Sequence, residues 1–335
     1  MKVDCYAAMA EKQPLEKFQY VARELGDLEI EVAITHCGIC YSDVYMIDND
    51  GGFSTYPFVP GHEIVGYVSK VGSKVTTHKN GDRVGIGWQS GACMNCEWCL
   101  KGEENLCVEV MKYPTWSPYG GFATSIIVDS RFAFKIPENL ASENVGPLLC
   151  GGATVYSPLR NHDIRPSMKV GIIGVGGLGH MAVQFASAFG CDVTVFSSTP
   201  AKEKEARDFG ANHFMRSTDT DALQKMARSF DFILSTIHGD LDWNTYLAML
   251  KPNGKLCFVG LSAGAITINP LSLIFGQATV CGSVIGGRPA IKEMLEFSAR
   301  HDIKAKTEVM PMSEVNQAIV RLKDNKARYR IVLKN

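Results

Sequence analysis

The stretch from Val170 to Gly190 carries no charged residue and six glycines, and few folds can accommodate it. An apolar run of about 20 residues is long enough to span a bilayer. Glycine at this density, with His180 and Gln184 in the second half, argues instead for a buried strand, a glycine turn and a helix. The strand is expected over Lys169–Ile173 and the helix over Leu178–Phe189. Between them lies Gly174-Val175-Gly176-Gly177-Leu178-Gly179, a G-x-G-x-x-G pattern in the strand-to-helix context that gives it meaning. Gly174 permits the tight turn, Gly176 lets backbone approach a pyrophosphate, and Gly179 lets helix and strand pack closely. The N–H groups at the helix start offer partial positive charge to phosphate. Gly174, Gly176, Gly177, Leu178 and Gly179 are thus candidate dinucleotide-binding residues.

The chain around this turn alternates between strand and helix. Strands are expected at Asp192–Phe196, His213–Met215, Asp231–Thr236, Lys255–Gly260 and Thr279–Ile285. Helices are expected at Ala201–Phe209, Thr220–Ser229 and Trp243–Leu250. Alternation of this kind predicts an α/β doubly wound parallel sheet. The first 130 residues read differently, as short strands at Glu29–Ile34, Ile64–Val71, Arg83–Ile86 and Phe122–Val128 punctuated by Gly, Asp and Asn. They suggest a partly open barrel. The last 45 residues offer helices at Ala290–Ala299 and Ser313–Lys323 and a strand at Tyr329–Leu333, and are expected to return to the first domain.

Which dinucleotide binds is argued from the end of the second strand of the sheet. An NAD site usually has Asp or Glu there to accept from the ribose 2′-hydroxyl. This chain has Phe196-Ser197-Ser198-Thr199-Pro200-Ala201-Lys202. No carboxylate repels a 2′-phosphate, three hydroxyls can donate to one, and Lys202 adds charge. NADP(H) is expected, with Ser197, Ser198, Thr199 and Lys202 at the phosphate.

Cysteine usage supplies the second constraint. Cys93-x2-Cys96-x2-Cys99-x7-Cys107 is a spacing at which one loop can wrap a tetrahedral zinc ion, the usual form of a structural site. Eleven cysteines, an odd number, and no N-terminal apolar stretch like a signal peptide point to a reducing, cytoplasmic setting. With a net charge of −1, nothing favours nucleic acid or a membrane surface as partner. Three further patches offer metal ligands: Cys37-Gly38-Ile39-Cys40-Tyr41-Ser42-Asp43, Gly61-His62-Glu63, and Cys150 in Pro147-Leu148-Leu149-Cys150-Gly151-Gly152. A catalytic zinc needs three protein ligands and an open fourth position. Cys5, Cys37, Cys191, Cys257 and Cys281 read as small buried hydrophobes. His162 and the other remaining histidines lack partners at ligand spacing.

Taken together, these motifs resemble the zinc-dependent medium-chain alcohol dehydrogenases, in their cinnamyl-alcohol-dehydrogenase-like branch. The likeness runs through nearly the whole chain, including Cys40-x-Ser-Asp, Gly61-His-Glu, the four-cysteine lobe, Pro147-Leu-Leu-Cys, Gly174–Gly179, Ser197-Ser198-Thr199 and Gly282-Ser283-Val284-Ile285-Gly286-Gly287. The resemblance implies a GroES-like β-barrel catalytic domain (1–148 and 288–335) and a Rossmann domain (149–287). It also implies a homodimer joined through the Rossmann sheets. Two zinc ions per chain are implied, one held by Cys40, His62 and Cys150 and one by Cys93, Cys96, Cys99 and Cys107. Glu63 would stand beside the catalytic metal and Asp43 would orient His62. Thr154 would pack against the nicotinamide, and the Ser283, Val284 and Ile285 backbone would face its carboxamide. Zinc is a Lewis acid suited to hydride transfer at a carbonyl carbon, and Ser42 can pass a proton to or from the substrate oxygen.

The expected activity is hydride transfer between NADP(H) and a primary alcohol or aldehyde, aromatic or allylic by resemblance. A polyol or secondary-alcohol dehydrogenase is the alternative within the superfamily, and a non-catalytic NADPH-binding zinc protein the alternative outside it. The chain departs from the branch pattern at Tyr41 and Tyr45, where relatives carry histidine. Tyrosine titrates near 10 and histidine near 6.5, so the proton route beyond Ser42 is expected to differ. The loop from Val108 to Tyr119 is expected to be shorter than usual, with Trp88 and Trp116 as candidate apolar walls or core residues.

Overall fold

The computed structural model describes residues 2–260 and 264–335. It divides into two compact units, one comprising the chain up to Cys150 with Gly286–Asn335 and the other Gly151–Ile285. The boundaries expected at 148/149 and 287/288 therefore fall at 150/151 and 285/286, which leaves Cys150 in the first unit.

The first unit is strand-rich. Its strands are β1 (Lys2–Ala8), β2 (Leu15–Val21), β3 (Glu29–Ile39), β4 (Glu63–Val71), β5 (Arg83–Ile86), β6 (Ser125–Asp129) and β7 (Ala133–Lys135). The second unit contributes β8 (Lys169–Ile173), β9 (Asp192–Ser197), β10 (His213–Arg216), β11 (Phe230–Ser235), β12 (Leu250–Phe258) and β13 (Thr279–Gly282). The first unit then ends with β14 (Thr307–Pro311) and β15 (Arg330–Lys334). Its large sheet runs β14-β15-β3-β4-β5-β7, with β6 also paired to β3, and β1 and β2 form a separate antiparallel pair. The return of the chain end is explicit: β15 lies antiparallel to β3, with Ile331 opposite Ile39 and Leu333 opposite Cys37.

β3 alternates because one face packs inward, where Ile30, Val32 and Ile34 join Ile64, Val68 and Phe122 in the core. The β1–β2 pair was not expected from the sequence, although Lys2-Val3-Asp4-Cys5 alternates exposed and buried.

In the second unit the sheet order is β10-β9-β8-β11-β12-β13 and every pairing is parallel. The chain turns outward in both directions from β8, so β8 and β11 flank the switch point where doubly wound folds bind ligands. Gly174 follows β8 at that point. The Val170–Gly190 stretch resolves into β8, the glycine turn and the helix Gly179–Ala188. Among the described residues no helix is long and apolar enough to cross a membrane. The helix Gly151–Asn161 was also not expected. It contains Gly151, Gly152 and Pro158, all poor helix formers, yet 151–159 is buried throughout, so packing overrides propensity.

Candidate active site

In the first unit the chain leaves β3 at Cys40, which caps the helix Tyr41–Ile47. Asp43, in the first turn of that helix, folds back so that its Oδ2 accepts the Cys40 backbone N–H at 2.9 Å. Its other oxygen accepts the Gly61 N–H and faces His62 Nδ1, both at 2.9 Å. Asp43 is fully buried, and these three partners compensate its desolvation. Asp43 accepts the hydrogen bond of His62 Nδ1, which leaves Nε2 as the ring nitrogen directed at Cys150 and, once deprotonated, the one able to bind a metal. Gly61 holds φ +101°, and a Cβ there would meet Phe122 and Cys37 at under 3 Å. Only glycine lets the chain reach His62 along this path.

His62 Nε2 lies 3.2 Å from Cys150 Sγ, and Cys150 Sγ lies 3.9 Å from Cys40 Sγ. Ligand atoms of Cys40, His62, Glu63 and Cys150 are all within 4.8 Å of one another. Zn–S and Zn–N bonds of about 2.0–2.3 Å in a tetrahedron separate their donors by roughly 3.5–3.8 Å, so the donor set and its spacing suit zinc. Cys37 takes no part. It is buried in the barrel core, against Gly61 and Gly121.

The electrostatics are those of a cation site. A hydrogen bond from Cys150, reinforced by His62 and Arg330, holds the Cys40 thiol well below its ordinary value against the cost of burial. The same bond and burial push Cys150 up. Burial works against a charged His62, but Asp43 and Cys40 outweigh it and the ring is pushed up. Burial also raises Glu63, partly offset by Arg330. Glu63 is fully buried, and its Oε1 forms an ion pair with Arg330, which also donates to the Ile39 carbonyl at 3.2 Å. Among the described residues Glu63 Oε2 has no hydrogen-bond partner. One oxygen is thus fixed by Arg330 while the other is left without a bond among the described residues. Arg330, on β15, was missed in the sequence because 267 positions separate it from Glu63.

Ser42 Oγ stands 3.6 Å from Cys40 Sγ. Tyr41 is exposed, and Tyr45 leans on Phe53 with ring centroids 6.4 Å apart. Trp116 meets the His62 ring edge-on at 4.9 Å and Trp88 meets Trp116 at 6.4 Å, so both pack beside the cluster and within the core.

The four-cysteine lobe lies in the same unit. Cys93 and Cys99 sulfurs are 3.8 Å apart and those of Cys96 and Cys99 3.5 Å. The Cys107 sulfur accepts backbone N–H groups of Cys93 at 3.5 Å and Glu109 at 3.4 Å. Backbone N–H groups of Cys99 and Val108 hold the Cys96 thiol down to about 6. Burial and the neighbouring thiols raise Cys99 to about 12. All four donors fall within 4.8 Å of one another, again a zinc spacing. Buried Glu104 ties the lobe to the helix Arg288–His301, accepting from Arg288 N at 2.9 Å and Nε at 2.7 Å.

In the second unit Gly174 has φ +91°, and a Cβ on Gly179 would strike the Gly174 carbonyl at 2.0 Å. A Cβ on Gly176 would meet nothing within 4 Å, so this backbone faces open space. Gly177 and Leu178 complete the turn, with Leu178 at the N-cap of the following helix. Ser197 ends β9 and its Oγ accepts the Thr199 N–H at 3.2 Å, while Ser198 and Thr199 are exposed. Lys202 Nζ donates to the Val175 carbonyl at 2.8 Å, which brings its charge to the glycine turn. Thr154 is buried on the helix Gly151–Asn161. Ser283 N donates to the Phe258 carbonyl at 3.1 Å, Val284 is exposed, and Ile285 has φ +43°.

The chain as a whole is similar to known proteins. Residues 26–138 match the family described as alcohol dehydrogenase GroES-like domain, and residues 177–300 that described as zinc-binding dehydrogenase. The chain is 41% identical to aldehyde reductase AdhA of Synechocystis sp. over 99% of its length and 98% of the relative's. It is also 41% identical to a probable mannitol dehydrogenase of Fragaria ananassa, over 99% of this chain and 95% of that one. The solved structure of a cinnamyl alcohol dehydrogenase from Helicobacter pylori complexed with NADP(H) superposes with a TM-score of 0.90 at 32% identity, covering 100% of this chain and 98% of that chain. The GroES-like barrel, the doubly wound sheet and these matches agree: the chain belongs to the zinc-binding alcohol dehydrogenases of the medium-chain, cinnamyl-alcohol-dehydrogenase-like group.

Proposed function

We propose that the protein is an NADP(H)-dependent aldehyde reductase and alcohol dehydrogenase acting on aromatic and allylic primary alcohols and their aldehydes. In the reducing direction an aldehyde, NADPH and one proton yield the alcohol and NADP⁺. The observation that carries the reading is the convergence of the Cys40, His62 and Cys150 donor atoms, with buried Asp43 bonded to His62. Cys40, His62 and Cys150 would hold a catalytic zinc, and Cys93, Cys96, Cys99 and Cys107 a structural one. Bound zinc supplies Lewis acidity at a carbonyl oxygen, and bound NADPH supplies the hydride.

The remaining work falls to side chains. Asp43 fixes the His62 tautomer and ring plane. Glu63, gripped by Arg330, sets the negative charge beside the three ligands. Ser42, next to Cys40, is the nearest hydroxyl able to carry a proton to the substrate oxygen, and Trp116 walls the site. NADP(H) selectivity is supported by Ser197, Ser198, Thr199 and Lys202, and by the NADP(H) in the related Helicobacter pylori structure. Gly174, Gly176, Gly177, Leu178 and Gly179 would receive the pyrophosphate, and Thr154 with Ser283, Val284 and Ile285 the nicotinamide.

A homodimer through the second unit is supported by β13 at the sheet edge and by exposed Leu271, Ile274 and Phe275 on the helix Pro270–Gly276. Sedimentation equilibrium would return twice the chain mass. A cytoplasmic location is supported by eleven free cysteines, and cell fractionation tests it.

A second reading, polyol oxidation, is favoured by the mannitol dehydrogenase among the relatives. Turnover of cinnamaldehyde, benzaldehyde and mannitol with NADPH or NADH (or their oxidised forms) separates the two. Cinnamaldehyde with NADPH is expected to lead, and Cys40→Ala to lower that activity by about 10³-fold. Mannitol with NAD⁺ leading would replace the first reading by the second. Full activity in Cys40→Ala would reject the zinc site altogether.

A further inference from the structure

His162, Cys257 and Cys281 show no ligand spacing in the sequence, and the fold of the second unit nevertheless brings them together. β12 and β13 are parallel neighbours with Cys257 directly opposite Cys281. Residues in register on adjacent strands project to the same face, and the strands lie only about 4.8 Å apart. The two thiols therefore share one side of the sheet. His162, just after the helix Gly151–Asn161, brings Nε2 to 3.4 Å from Cys281 Sγ. All three donor atoms lie within 4.8 Å of one another.

Three observations distinguish this cluster from incidental core packing. The separation of Nε2 from Sγ is close to the roughly 3.6 Å edge expected between nitrogen and sulfur around one tetrahedral zinc. Cys257 is fully buried while Cys281 and His162 are half-buried, which gives a floor and a way in. The His162 ring is steadied by Phe232, with centroids 5.6 Å apart. The chemistry is also favourable. Two thiolates and an imidazole form a soft set that selects zinc-like ions over magnesium or calcium.

We propose that His162, Cys257 and Cys281 form a third metal site, in the nucleotide-binding unit, which takes one thiophilic divalent cation of the zinc type with water completing the tetrahedron. Binding would release the protons of the Cys257 and Cys281 thiols to solvent and form two metal–sulfur bonds and one metal–nitrogen bond, with no change in oxidation state. The site is independent of the catalytic reading, because neither the alcohol dehydrogenase chemistry nor the four-cysteine lobe uses these residues.

Cobalt(II) titration of protein carrying only two zinc ions per chain, under a phosphine reductant, tests the proposal. One further equivalent should bind saturably and produce a thiolate-to-cobalt charge-transfer band with tetrahedral ligand-field absorption. Cys281→Ser should abolish the band and His162→Ala should weaken binding by at least about tenfold. Total zinc after gel filtration from zinc-containing buffer should fall from about three to two per chain in Cys281→Ser. The half-buried His162 keeps the test decisive if the cysteine variant fails to fold. No saturable cobalt band in the wild type, or a band of unchanged affinity in His162→Ala, would overturn the proposal.

Discussion

Cys93, Cys96, Cys99 and Cys107 come from one loop, the first and last only 14 positions apart, whereas Cys150 joins Cys40 across 110. Both clusters lie in the first unit and both have zinc-compatible spacing, but they are held differently. In the lobe, backbone N–H groups of the loop itself point at the sulfurs. Around Cys40 the support is remote and charged: Asp43 behind His62, and Arg330 behind Glu63. Four sulfur donors fill a zinc coordination sphere, while three protein ligands with a restrained carboxylate leave a position open. A short-range cage secures a fold, and a long-range one can be tuned for chemistry.

That contrast breaks most readily at Arg330. Arg330→Met removes the countercharge of a fully buried carboxylate and should cost about 3–5 kcal/mol in urea unfolding. Glu63→Gln on the same background should recover at least half of it. Absence of recovery would mean that the pair is not what restrains Glu63.

The lobe should respond in stability rather than chemistry. Cys96→Ser should lower Tm by roughly 10 °C through loss of structural metal, while kcat per folded molecule at low temperature stays within about threefold. A large drop in kcat with unchanged Tm would reverse the assignment of the two clusters.

Asp43→Asn retains size but disturbs the tautomer of His62, and should lower catalytic-zinc affinity or kcat by about 10–100-fold. Competition with a chromophoric chelator would read the affinity directly, and lobe zinc should be unaffected. The smallest effect is expected outside both clusters. Lys202→Ala should reduce the NADPH-over-NADH ratio of kcat/KM about fivefold, as befits one half-exposed charge.

The same contrast explains what could be read from the chain alone. The lobe and the glycine turn were legible because their spacing is local and each residue type has a backbone or ligand reason to be there. The strands β5 and β8 coincide with their expected limits, since short apolar runs bounded by Gly or Asp leave little choice. The helix Gly151–Asn161 was not legible, because its glycines and proline deny the helix that burial enforces. Cys40, His62 and Cys150 each lay in a recognisable patch, but only the family resemblance joined them. Arg330 and the His162–Cys257–Cys281 cluster had no local signal. Each depends on a strand pairing, β15 on β3 or β12 on β13, whose register brings distant positions into contact.

The insertion of β15 between β14 and β3 also has a consequence for biosynthesis. A ribosome makes Cys40, His62 and Cys150 early, then the whole second unit, and only afterwards the strand carrying Arg330. The second unit can fold as soon as it emerges, but the first must wait with an unfinished sheet. Until β15 docks, Glu63 has no countercharge and the pocket lacks its final electrostatic form. The lobe can acquire metal early in synthesis, and the catalytic pocket is completed only once the chain has closed on itself.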